Sequence, residues 1–204
     1  MNYELGDKMN LKEEFIKLGY TEDDYNEIRN SYPLINIKDE TISMHLKDIF
    51  TFFLECGYTK KEVIKITKIL PAIYGLSIEN MKQKIVDIMD LGYTKEEVIK
   101  MTKTLPAIYS LSIENIKQKI DFYNLIGMHE LAVIDAKNLM QSTNLSYARY
   151  SFYIDLGINI DMNNYRKLFI NQKQFEKTYG ITKEELLERY DYNKYKEEVE
   201  KKRG

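Results

Sequence analysis

A chain of 204 residues with 44% hydrophobic and 30% charged side chains can bury a continuous core, as one domain or as a short repeat array. Its 30 Lys and Arg against 32 Asp and Glu give a net charge of -2, which excludes the uniformly basic surface of a protein that coats nucleic acid. A lone cysteine, Cys56, excludes an internal disulfide framework and fits a reducing, cytoplasmic setting, and no run approaches the roughly eighteen apolar residues of a membrane span.

The opening stretch MNYELGDKMNLKEEF carries acids and no apolar h-region, and it lacks the Arg-rich, acid-poor character of a transit peptide, so no leader is expected. From there glycine punctuates the chain. Gly19, Gly57, Gly92 and Gly127 are spaced by 38, 35 and 35 residues, and Pro33, Pro71 and Pro106 each lie fourteen residues after one of them. Each glycine follows an apolar helical pattern and precedes a helix-start signal, which suits a left-handed residue just past a helix end. A fixed period of this length predicts stacked repeats.

The first unit, about 18–56, has three extra residues in its linker. In the second, 57–91, Thr59 and Glu62 form a capping box and Tyr58 with Val63 a hydrophobic staple. A first helix is predicted from there to the residue before Pro71, with Val63, Ile66, Thr67 and Leu70 on its apolar face. A tight PAIYG turn follows, and Ser77 opens a second helix that buries Ile78, Met81, Ile85 and Ile88. The third unit, 92–126, repeats the scheme with Thr94, Glu97, Tyr93 and Val98, then Ser112 and Ile113, Ile116, Ile120 and Tyr123. The units at 127–156 and 157–204 are degenerate, with Gln141 and Asn171 at the offset of the proline, as polar end caps of a finite array require. After Gly180, Thr182 with Glu185 and Ile181 with Leu186 restate the cap and staple. The tail from Asn171 has the outline of a helix-turn-helix, although the same joint recurs throughout the chain. Two amphipathic helices per unit cannot close a core alone, so the expected fold is all-α, a short α-solenoid forming a single domain over 1–204.

A unit reading LGYTKEEVIKMTKTLPAIYSLSIENIKQKIDFYNLIG resembles the repeat of the mitochondrial transcription termination factor (mTERF) family, strongly over 57–127 and more faintly over 18–56. The resemblance implies a superhelical array of short helical units. It also implies binding of DNA or RNA in the control of transcription or translation, although the Gly, Thr and Pro landmarks are scaffold residues. Heavy use of lysine, isoleucine, asparagine and tyrosine suggests AT-rich coding, hence a bacterial or phage relative.

Charge is uneven along the chain. Six Lys/Arg against twelve Asp/Glu leave residues 1–57 at -6, whereas 58–92 stand at +2 and 93–127 at +1. Within the two near-identical units Lys65 and Lys100, Lys68 and Lys103, Lys82 and Lys117, and Lys84 and Lys119 recur at one offset, so stacking turns them into columns. Such a ladder of ammonium groups can follow a phosphate backbone by counterion release. The plainer reading keeps Lys65 and Lys68 on a solvated face and gives Lys82 and Lys84 the task of covering apolar surface with their stems.

Other chemistry is absent from the pattern. His45 and His129 stand alone, so no metal site is expected, and neither a phosphate loop nor a nucleophile elbow occurs, so no cofactor and no enzymatic activity are expected. Cys56, at a helix end that disfavours a thiolate, reads as a small buried hydrophobe. Tyr58, Tyr74, Tyr93 and Tyr109 sit at staple and turn positions, where packing rather than base stacking accounts for them. Two functions remain open: a nucleic-acid-binding regulator using the lysine columns, or a protein-interaction module using the curved surface and the acidic N-terminal end.

Overall fold

The computed structural model describes residues 10–31 and 34–203, and among them there is no strand. The reading of the leader falls largely on residues 1–9 and that of Pro33 on the gap, both outside the described residues. No described helix is long and apolar enough to cross a membrane. The chain divides into two compact units, 1–110 and 111–204.

The first compact unit contains α1 (Leu11–Leu18), α2 (Glu22–Arg29), α3 (Asp39–Glu55), α4 (Lys60–Ile69), α5 (Ile78–Met89) and α6 (Lys95–Thr104). The local signals in the sequence explain these limits. Gly19, Gly57 and Gly92 all take positive φ, so each chain reversal occurs at the residue that adopts it without a Cβ penalty. Thr59 with Glu62 and Thr94 with Glu97 form reciprocal capping boxes. A further box, Thr21 with Asp24, starts α2 at the same offset from its glycine. Gly57 has open space where a Cβ would sit, so Gly57→Ala tests conformation alone. It should cost about 1 kcal/mol, read as a lower urea midpoint at unchanged slope.

PAIYG and PAIYS are more than turns. Each forms a 3-10 helix, Pro71–Gly75 and Pro106–Ser110, beginning at proline because that ring ends the α ladder while presetting φ for the next turn. The repeats that begin at Gly57 and Gly92 are therefore three-helix units. First helices stack on first helices, α2 against α4, and second helices on second, α1 against α3 and α3 against α5. Val63, Ile66, Met81, Ile85 and Ile88 are buried as the periodicity predicts, whereas Ile78 and Leu70, at the helix edges, are only half-buried.

A polar motif recurs inside this core. The Tyr20 hydroxyl hydrogen-bonds with those of Thr67 (3.0 Å) and Tyr74 (2.9 Å), and one unit later the Tyr58 hydroxyl bonds that of Thr102. Thr67 and Thr102 lie on apolar helix faces because they have these partners, and each also donates to a carbonyl of its own helix.

The second compact unit holds α7 (Ile113–Leu125), α8 (Leu131–Ile134), α9 (Thr143–Asp155), α10 (Gln172–Tyr179), α11 (Lys183–Arg189) and α12 (Tyr192–Arg203). Here the first helix of the repeat shrinks. After Gly127 it is the single turn α8, and after Gly157 only a 3-10 helix, Tyr165–Phe169, precedes α10. The 3-10 helix of the 127 repeat accordingly begins at Ala136, nine residues after its glycine rather than fourteen. Gln141 and Asn171 therefore do not replace the proline. Gln141 ends a 3-10 helix and Asn171 caps α10. The helix-turn-helix outline of the tail is α10 and α11 joined at Gly180, with Phe175 and Leu186 fully buried and α11 packed on α9.

Candidate nucleic-acid interface

The eight lysines that form columns in the sequence occupy four different environments. Lys65 and Lys100, on α4 and α6, are exposed and make no ion pair with a described residue.

Lys68 and Lys103 are spent inside the scaffold. Lys68 Nζ lies 2.7 Å from Asp24 Oδ1 and 2.9 Å from Glu27 Oε2, binding α4 to α2. Lys103 Nζ lies 3.1 Å from Glu62 Oε1, donates to the Gly57 carbonyl at 3.3 Å and sits 4.9 Å from the centre of the Tyr58 ring, binding α6 to α4. In both cases the acceptor is the acid of the preceding repeat's capping box, so one carboxylate caps its own helix and clasps the next. The hydrogen bond from Lys68, with those from the Thr21 amide and hydroxyl, pulls the Asp24 carboxyl down to about 2. Glu62 is lowered by the Thr59 amide first and Lys103 second. The signal for this clasp was present in the sequence: the acids at 24 and 62 recur at a fixed offset from their glycines, as the lysines do, one repeat out of step.

Lys82 and Lys84 differ as well. Lys82 is exposed and, with Lys95, rims a cleft of about 330 Å³ floored by Phe52, Ile85 and Cys56. Cys56 is half-buried there, and desolvation raises its thiol, consistent with an inert side chain. Lys84 is half-buried.

In the second compact unit Lys117 is exposed, but Lys119 is fully buried. Its ammonium donates to Ser146 Oγ at 3.0 Å and lies between the Phe122 and Phe169 rings, 5.9 and 5.8 Å from their centres. Burial pulls its pKa down to about 7. A phosphate cannot reach it, so the sequence's assignment of Lys119 to a nucleic-acid surface is corrected: it is a core residue. The tyrosines at 58, 74, 93 and 109 are buried too, and have no free face for a base.

No curated protein matches the chain. The model of the mTERF family matches residues 1–130, more than half of the sequence.

Proposed function

The chain belongs to the mTERF family, and from that premise we propose that it is a nucleic-acid-binding helical-repeat protein, a regulator of transcription or translation, that meets phosphates through Lys65 and Lys100. The observation that supports this reading is the partition of the lysines. Those on the repeat joints are neutralised by capping-box acids, whereas Lys65 and Lys100, at the same offset on helices joined by the Lys103–Glu62 pair, remain exposed and make no ion pair with a described residue. Lys82 and Lys117 extend the set of exposed cations.

The test is a titration against single-stranded and duplex DNA and RNA between about 50 and 200 mM salt. Lys65→Glu with Lys100→Glu should weaken binding and reduce the slope of log K against log salt by about 1.5, the release of two phosphate contacts. Lys68→Met with Lys103→Met should leave that slope intact. Equal slopes in all three proteins would remove the assignment of these lysines.

One feature supports a protein-interaction reading. Met44 is 72% exposed on α3 and lines a cleft of about 510 Å³ with Glu14, Asp39 and Glu40, a surface suited to a basic, amphipathic segment. Absence of nucleic-acid binding at low salt would leave this acidic face as the working surface.

A further inference from the structure

The second compact unit carries an amide-lined cleft that the lysine columns do not explain. It occupies about 440 Å³ where the first half of α7, the joint before α9 and the start of α12 converge. Asn115 and Gln118 come from α7, Gln141 from the joint, Asn144 from the first turn of α9, and Asn193 from α12; none of the described lining residues is charged.

The hydrogen-bond capacity of these amides is only partly used. Gln118 Nε2 donates to Asn193 Oδ1 at 3.4 Å, and Asn144 Oδ1 accepts from the Tyr192 amide at 2.8 Å, which anchors α12. Among the described residues that leaves Gln118 Oε1 as an acceptor, the Asn193 and Asn144 amino groups as donors, and the whole side-chain amides of Asn115 and Gln141. Leu111, Leu139 and Met140 add an apolar strip.

The preceding repeat shows what is particular here. SIENMKQKI and SIENIKQKI place Asn80 and Gln83 at the positions of Asn115 and Gln118. Gln83, however, donates to Asp87 on its own helix at 2.8 Å. The position of Asp87 is Phe122 in α7, so Gln118 has no such acceptor and reaches α12 instead. The divergent ends of the two repeats thus give Gln118 a different partner from Gln83.

A ligand for this lining is uncharged, carries donors and acceptors along one edge and has a flat apolar face. An anion would find no cation in the wall, and a hydrocarbon would leave the amides desolvated without partners. Resting on the nucleic-acid reading above, we propose that the cleft receives an unpaired nucleobase of a single-stranded nucleic acid. Asn and Gln read base edges through paired donor and acceptor contacts, and a base must be unpaired and unstacked for its edge to enter a pocket. The exposed Lys117 and Lys194 adjoin Gln118 and Asn193 in the chain, where phosphates flanking the base would lie.

The test compares single-stranded DNA and RNA oligonucleotides with an abasic strand of equal length and charge. Wild-type protein should prefer the base-bearing strands by about tenfold. Asn115→Leu with Gln118→Leu should abolish the preference while keeping the abasic affinity. On the wild-type protein, side-chain amide resonances of Asn115 and Asn193 should shift with base-bearing strands and not with the abasic one. An unchanged preference in the variant, or unmoved amide resonances at saturation, would overturn the cleft while leaving phosphate binding by Lys65 and Lys100 intact. If wild-type protein binds none of the strands, the nucleic-acid reading and the cleft fall together.

Discussion

Replacing Lys119 by methionine should raise the stability of the protein at neutral pH by about 1–4 kcal/mol, an increase in Tm of about 2 °C or more. Lys119 brings an ammonium group into a site with 0% exposure, where its hydrogen-bond partner among the described residues is a neutral hydroxyl. Asp121, close to it in sequence, is 3.9 Å from Lys196 instead. Methionine matches the length of the stem without the charge. Ser146 is not orphaned by the change, because its hydroxyl donates to the Ser142 carbonyl at 2.8 Å. The pH dependence supplies an independent check. The folded-state pKa is depressed to about 7 from 10.5, so above pH 7 the folded protein sheds a proton that the unfolded chain retains. Wild-type stability should therefore rise with pH between 7 and 10.5, while below pH 7 both states are protonated and the full penalty applies. Thermal unfolding at about pH 6 and about pH 9 should show Lys119→Met ahead at both and the gap narrower at the higher pH. A variant no more stable than wild type at pH 6 would mean that the ammonium is solvated.

The joints of this fold were readable from the sequence because they depend on local chemistry. A glycine forced to positive φ, a threonine and an acid three residues on, and a proline that ends a ladder each act within one turn of backbone. Gly57, Thr59, Glu62 and Pro71 all take the predicted roles, and Thr21 with Asp24 follows the same rule. Burial was less legible, because it is set by whatever another segment lays across a side chain. Lys84 and Lys119 share a letter, an offset and a helix position, yet one is half-buried and the other is sealed under Phe122 and Phe169. Likewise, counting fourteen residues from Gly127 or Gly157 misplaces the following 3-10 helices, since the shortening of the preceding helix leaves no fixed count. For the lysines, a shared offset could not distinguish a solvated cation from one held by an acid a repeat away.

Arg149→Leu should have the opposite effect to Lys119→Met, a loss of about 2–5 kcal/mol from two stranded carbonyls, although both residues stand eight positions before a glycine on a second helix. Arg149 is 3% exposed in α9. Its Nη1 donates to the carbonyls of Leu168 (2.9 Å) and Ile170 (2.8 Å), its Nη2 to Gln172 Oε1 (2.8 Å), and its guanidinium lies 5.0 Å from the centre of the Phe175 ring. Those carbonyls belong to the end of the 3-10 helix Tyr165–Phe169 and the residue beyond it, in the repeat that has no first α-helix to brace it. One planar fork therefore satisfies the backbone at the joint that leads into α10, a helix capped by Asn171 without a capping box. Burial lowers the pKa of Arg149 as it does that of Lys119, but a guanidinium stays protonated, and here the charge is spread over three acceptors rather than one. Removing it strands the Leu168 and Ile170 carbonyls in a site that leucine cannot hydrate. Arg149→Lys should recover only part of the loss, because a single ammonium cannot span both carbonyls and Gln172. Urea unfolding of the three proteins measures the series, and equal midpoints for the lysine and leucine variants would show that the fork geometry contributes nothing beyond the packed stem.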